Sequence, residues 1–178
     1  MNVLVTASAL AWHVRRVFIS HDRSAKKPGK RFRGWKDVKE PRTPYGIHPV
    51  WAAMTILHER ALPPEIRWNG AQAILYHDIL EDTTASLPQN LPGHVQELIR
   101  GMTFEDFQRE ELLVWDRSPE VRLLSLYEKT SNWLDGDWLY LERRIVHRKH
   151  LTELADDVEK HWGTLNIVII ARALLGKP

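Results

Sequence analysis

The sequence predicts an all-α protein, and three observations carry that expectation. Apolar residues recur at helical spacing through most of the chain. Recognisable start and stop signals bound those segments. Only 165–175 is rich enough in β-branched residues to suggest a strand, and no second stretch offers it a partner, so it is read as a buried helix.

Taken in order, 3–19 is a helix in which Leu4, Ala7, Leu10, Ala11, Val14 and Phe18 supply apolar positions. The segment 21–42 is basic and aperiodic and reads as a long loop, a kind that tends to be functional or disordered. Pro49 suits the first turn of a helix running to about 60, which places His48 at its start. A helix over 64–80, a loop over 83–93 and a short helix over 94–100 stopped by Gly101 follow. Thr103 to Asp106 resembles a capping box and opens a helix to about 115. Ser118-Pro119-Glu120 is a stronger start signal, for a helix ending near Asp135-Gly136. A long charged helix over 137–161, ended by Gly163, precedes the last one. Neither a repeat nor a domain boundary is visible, so 1–178 reads as one domain.

Bulk properties narrow the function classes. The chain has 178 residues, 43% apolar and 27% charged, which suffices for a single ordinary hydrophobic core. A net charge of +2 gives no reason to expect a nucleic-acid partner. Local basic clusters (Lys26 to Lys39, and Arg143 to Lys149) suit a phosphorylated small molecule as well as they suit a solvated surface. The absence of cysteine excludes disulfides and thiolate metal sites and fits a reducing compartment. No run has the length of a membrane span and the first residues lack signal-peptide features, so a cytoplasmic protein is expected.

The stretch Ala73-Ile74-Leu75-Tyr76-His77-Asp78-Ile79-Leu80-Glu81-Asp82-Thr83 delivers four ionisable groups to the end of an apolar helix. On a continuous helix His77 would lie over Glu81, and Asp78 over Glu81 and Asp82. Metal binding beside a proton-accepting carboxylate needs such a group; a frayed polar helix end would look the same. Ser125, Glu128, Asn132 and Asp135 form a polar stripe at helical spacing, which by itself also fits a wet face.

Together these segments resemble the HD-domain metal phosphohydrolases, whose ligands follow the order His, His-Asp, Asp on separate helices. The nearer resemblance is to the RelA/SpoT-type alarmone hydrolase domain. Arg42-Thr43-Pro44-Tyr45-Gly46-Ile47-His48-Pro49 is similar to its Pro-Tyr-x-x-His-Pro entrance. The stretch from Ala73 to Thr83 is similar to its Ala-x-Leu-x-His-Asp-x-x-Glu-Asp-Thr core, and Ile99-Arg100-Gly101-Met102-Thr103 to the segment that follows. Glu128-Lys129-Thr130-Ser131-Asn132 corresponds to its Asp-(Arg/Lys)-x-x-Asn motif. The resemblance spans about 42–136.

It implies a single HD-domain helical bundle with a divalent metal, Mn²⁺ first and Fe, Co or Zn as alternatives, held by His48, His77, Asp78 and Glu128. Glu81 and Asp82 would orient water and take its proton. Arg42, Tyr45, Lys129, Asn132 and Arg148 are the candidates for contacting substrate, with Trp35 in the basic loop as a cap for a base. The implied activity is removal of the 3′-pyrophosphate from guanosine 3′,5′-bis(diphosphate), ppGpp. Two alternatives stay open: hydrolysis of 5′-nucleotides or (deoxy)nucleoside triphosphates, and a catalytically silent nucleotide-binding HD module. One departure bears on this choice. Glu128 stands where the family has Asp, and its extra methylene moves the carboxylate by about 1.5 Å. Backbone adjustment could absorb that, or metal affinity could change. Asp135 is an alternative ligand, but choosing it strands Lys129 and Asn132.

Overall fold

A computed structural model of the chain describes residues 3–27, 43–134 and 141–176, the side chains of 3–6 excepted. Its elements are helices: α1 (Val3–Ser24), α2 (Ile47–Leu57), α3 (Pro64–Tyr76), α4 (Ile79–Asp82), α5 (Gly93–Met102), α6 (Phe107–Leu113), α7 (Pro119–Leu134), α8 (Leu141–Trp162) and α9 (Asn166–Leu174), with a 3-10 turn at Val114–Asp116. No strand is present among the described residues, and an isolated antiparallel bridge joins Ala25 to Thr83. The all-α expectation holds, and the β-branched segment is the helix α9.

The bundle is organised around α7, which packs against α2, α3, α5, α8 and α9. Leu123, Leu124, Leu126 and Tyr127 of α7 are fully buried, and Ile56, Ile74 and Ile99 from α2, α3 and α5 close the same core. The start of α7 is the expected one, since the Ser118 hydroxyl accepts from Val121 N at 3.3 Å. α9 gains its first-turn partner from a distant residue: the Glu59 carboxylate accepts from Asn166 N at 2.7 Å and from its side-chain amide at 3.3 Å. Gly163 ends α8 as expected, with φ of +80°, a left-handed position that glycine takes without a Cβ penalty.

Four boundaries differ from expectation, each for a physical reason. α1 continues past Ile19 to Ser24 because the polar Ser20 and His21 are buried there, a contribution that apolar periodicity does not register. The Tyr76 hydroxyl lies 2.9 Å from His13 Nδ1 while Gln72 donates to His13 Nε2 at 3.1 Å, which ties α1 to α3. The helix expected over 64–80 breaks at His77, whose backbone N–H reaches Ile74 O at 3.4 Å rather than the residue one further back. Gly101 does not stop α5 but lies inside it. A Cβ there would come within 2.7 Å of Val121 Cγ2, so glycine serves the close approach of α5 to α7. The cap of α6 is Asp106, accepting from Arg109 N at 2.8 Å, rather than Thr103.

Candidate metal centre

Three parts of the bundle converge at the break in α3. His48 stands in the first turn of α2, His77 and Asp78 form the junction between α3 and α4, and Glu128 lies midway along α7. α2, α3 and α7 pack on one another, so residues far apart in the chain meet. Ser131 adds a direct tie, donating from α7 to the His48 carbonyl at 3.2 Å.

Both imidazoles are oriented by backbone carbonyls. His48 Nδ1 donates to Tyr45 O at 3.1 Å and His77 Nδ1 to Ile74 O at 2.6 Å. With Nδ1 as donor, each Nε2 turns a lone pair inward. The two Nε2 atoms are 3.4 Å apart, and Asp78 Oδ2 is 3.1 Å from each. Those are hydrogen-bond and ion-pair lengths, and Asp78 Oδ2 is buried between the two rings. The lone pairs of three such atoms repel in a dry site, and either a proton on one imidazole or a cation among them relieves that repulsion. Atoms sharing a cation at about 2.1 Å stand about 3.0 Å apart at a right angle and about 3.4 Å apart at a tetrahedral one. The observed separations match that range. Ligand atoms of His48, His77 and Glu128 also lie within 4.8 Å of one another. The donor set fits a divalent cation.

The electrostatics agree. Burial by itself would lower the His77 pKa, but Asp78 and then Glu128 outweigh it and raise His77 to about 10. Burial opposes ionisation of Asp78, yet His77 and His48 hold it well below the usual carboxylate range. Burial likewise opposes ionisation of Glu128, and Lys129 with His77 keeps its pKa low. Glu81 differs: burial and the charge of Asp78 raise it to about 7, although its Oε1 accepts from Phe104 N at 2.7 Å.

The other expected residues are placed as follows. Asp82 is buried at the end of α4, its backbone N–H donating to Asp78 O at 2.8 Å. Tyr45 is half-buried with its ring edge-on to His48, centroids 5.2 Å apart, and its carbonyl is the group that orients that imidazole. Asn132 donates to Glu128 Oε1. Lys129, a candidate for contacting substrate or supporting the ligands, is buried, its ammonium 2.5 Å from Glu128 Oε2 and 2.5 Å from Glu110 Oε2, because α6 brings the Glu110 carboxylate against α7. Arg148, on α8, donates to Leu175 O at the end of α9 at 2.6 Å. Arg42, Trp35 and Asp135 lie outside the described residues.

Some contributors carried no usable signal in the sequence. The carbonyls of Tyr45 and Ile74 have no side-chain identity to read. Lys26 closes α4, with its ammonium 2.8 Å from both Leu80 O and Glu81 O. Glu110 is one acid among several on a short helix. His147 and His150 of α8 are buried against Phe107, with His147 stacked on it at 4.5 Å. Burial and the nearby Lys129 charge lower them to about 3 and about 4.

This bundle, with His48, His77-Asp78 and Glu128 brought together from separate helices, has the all-α HD-domain fold. No family model matches the chain, and no curated protein matches its sequence. A solved structure does match: that of a metazoan ortholog of SpoT described as hydrolysing ppGpp and playing a role in starvation responses. The similarity has a TM-score of 0.66 and covers 94% of this chain and 93% of that one, at 20% sequence identity. At that identity the match defines the fold and leaves the chemistry to the site.

Proposed function

We propose that the chain is a metal-dependent phosphohydrolase acting on a nucleotide, and that it removes the 3′-pyrophosphate of a guanosine 3′,5′-bis(diphosphate). The observation that carries the reaction class is the trio of His48 Nε2, His77 Nε2 and Asp78 Oδ2, buried and within 3.4 Å of one another where α2 meets the α3–α4 junction. The substrate rests on the likeness of the Arg42-to-Pro49 and Ala73-to-Thr83 motifs to alarmone hydrolases, supported by the structural neighbour described as hydrolysing ppGpp.

His48, His77, Asp78 and Glu128 would hold the cation, with Mn²⁺ preferred and Fe, Co or Zn compatible with imidazole and carboxylate donors. Bound there, a divalent cation supplies Lewis acidity toward a phosphoryl oxygen and makes its water more acidic. The Nδ1 bonds to Tyr45 O and Ile74 O keep both imidazoles aimed, so no reorientation is needed on binding. Glu81 takes the proton of the attacking water, a role suited to a carboxyl whose pKa lies at about 7. Asp82, beside it at the end of α4, helps to orient that water.

A second reading has an observation of its own. Both oxygens of Glu128 are engaged inside the protein, by Asn132 and Lys129, which favours a module with weakened metal binding and no turnover. The test incubates the purified chain and a His77→Ala variant with Mn²⁺ and ppGpp, alongside a panel of 5′-nucleotides and deoxynucleoside triphosphates. The proposal expects pyrophosphate release from ppGpp that His77→Ala abolishes. Turnover of the panel alone overturns the substrate, and no turnover of any compound overturns the activity.

A further inference from the structure

The buried ion pairs beside the candidate cation site have not been given a purpose by the reaction. Lys129 Nζ lies 2.5 Å from Glu128 Oε2 and 2.5 Å from Glu110 Oε2, and the three side chains are at most 10% exposed. Adjacent positions on a helix point in diverging directions, so a contact between Glu128 and Lys129 is not a default of α7. It arises because α6 lies alongside and presents two groups to the ammonium: the Glu110 carboxylate, and the ring face of Phe107 with its centroid 5.6 Å from Nζ. α6 contributes no candidate metal ligand, and its hydrogen-bond-range contact with the site runs through Lys129.

Charge balance says what they do. A cation arriving at Glu128 meets an ammonium already using that carboxylate. In a dry interior two positive groups sharing one carboxylate are unfavourable, unless a second anion retains the ammonium. Glu110 is that anion. Asp78, Glu128 and Glu110 thus bring three carboxylates to the Lys129 ammonium and the entering cation.

Resting on the reading of the centre as a divalent-cation site, we infer that Glu110 is a positioning residue for it. Glu110 holds Lys129 through the change, so that the Glu128 carboxylate passes from an internal ammonium to the cation. Lys129 occupies Glu128 in the cation-free protein and is retained by Glu110 and Phe107 when the cation binds.

The experiment measures Mn²⁺ affinity by titration calorimetry of the full chain at fixed pH. It compares the unaltered protein with Glu110→Gln, Glu110→Asp, Lys129→Met and the double variant Glu110→Gln/Lys129→Met. Thermal melts in chelator check that each one folds. Glu110→Gln, which leaves Lys129 competing for Glu128, is expected to weaken Mn²⁺ binding about 10–100-fold. Glu110→Asp keeps the charge and recovers most of the loss. The double variant removes the competitor and returns to within a few-fold of the unaltered protein. If Glu110→Gln binds Mn²⁺ normally, or its loss persists unchanged in the double variant, Glu110 does not act through Lys129 and the inference is overturned. Should Glu110→Gln fail to fold, the double variant is compared with Lys129→Met: equal Mn²⁺ affinity is the expected result, and a further loss in the double variant shows that Glu110 acts other than through Lys129 and overturns the inference. An unaltered chain that folds but binds no Mn²⁺ overturns the cation site itself, and this inference with it.

Discussion

Glu81 is half-buried and has Asp78 and His77 as charged neighbours. Burial and Asp78 raise its pKa to about 7, so near neutral pH it exchanges a proton with little driving force either way. It must be ionised to accept a proton, so activity is expected to fall as pH drops below about 7. Glu81→Gln should lower kcat by about 10²–10⁴-fold and flatten that acid limb, as a pH–rate profile would show. His77 supplies a second prediction. Its pKa near 10 means that the cation-free site holds a proton on the imidazole, which an incoming cation must displace. Mn²⁺ affinity should therefore rise with pH, by about tenfold per unit below that value where this proton dominates, in titrations run from pH 6.5 to 9. The linkage also has a stability side. A pKa raised above 6.5 makes His77 stabilise the cation-free fold fully below that pH, and that contribution is lost as pH climbs through about 10. At this scale the meeting of His48, His77, Asp78 and Glu128 was legible because their identities and spacing form a motif. Lys129 was not, because nothing in the chain says that Glu110 will lie against it. Tyr45 and Ile74 act through carbonyls that every residue has.

At the scale of elements, the break between α3 and α4 is what turns a His-Asp pair into two convergent donors. The Ile74 carbonyl is shared by the His77 backbone N–H and the His77 ring, at 3.4 and 2.6 Å, so the same residue ends the helix and orients the imidazole. Sequence periodicity runs smoothly through this point, since the backbone stays in the right-handed helical region and only the hydrogen-bond pattern changes. Gly101 shows the opposite failure: a stop signal that the tertiary structure uses for contact. The Gly101→Ala change sets two effects against each other. Alanine gains about 1 kcal/mol from helix propensity, while overpacking costs about 1–3 kcal/mol. The atom it meets is Cγ2 of a β-branched valine, which cannot swing aside as a flexible chain end would. A net loss of stability is expected in urea unfolding, and equal or greater stability would show that α5 and α7 can separate slightly without cost.

On the scale of the molecule, α7 is the central helix of the bundle and also carries Glu128, so the core and the site are built on one element. That is why the all-α class and the candidate site could be read together, since the apolar residues that place α7 in the core also fix which face it turns to α2 and α3. The attachment of α1 was less legible, because it depends on His13, Gln72 and Tyr76, buried polar groups that apolar patterning passes over. Likewise the Ala25–Thr83 bridge and the Lys26 contacts to α4 join segments that look unrelated in the chain. No described helix is long and apolar enough to cross a membrane. The central claim is that one cation draws donors from α2, the α3–α4 junction and α7 to a common point. Anomalous diffraction from Mn²⁺-soaked crystals tests it most directly. The account predicts a single strong peak about 2.0–2.3 Å from His48 Nε2, His77 Nε2, Asp78 and Glu128, with Lys129 retained on Glu110. A site without a peak, or a peak that leaves Glu128 on Lys129 and uses other ligands, would contradict it.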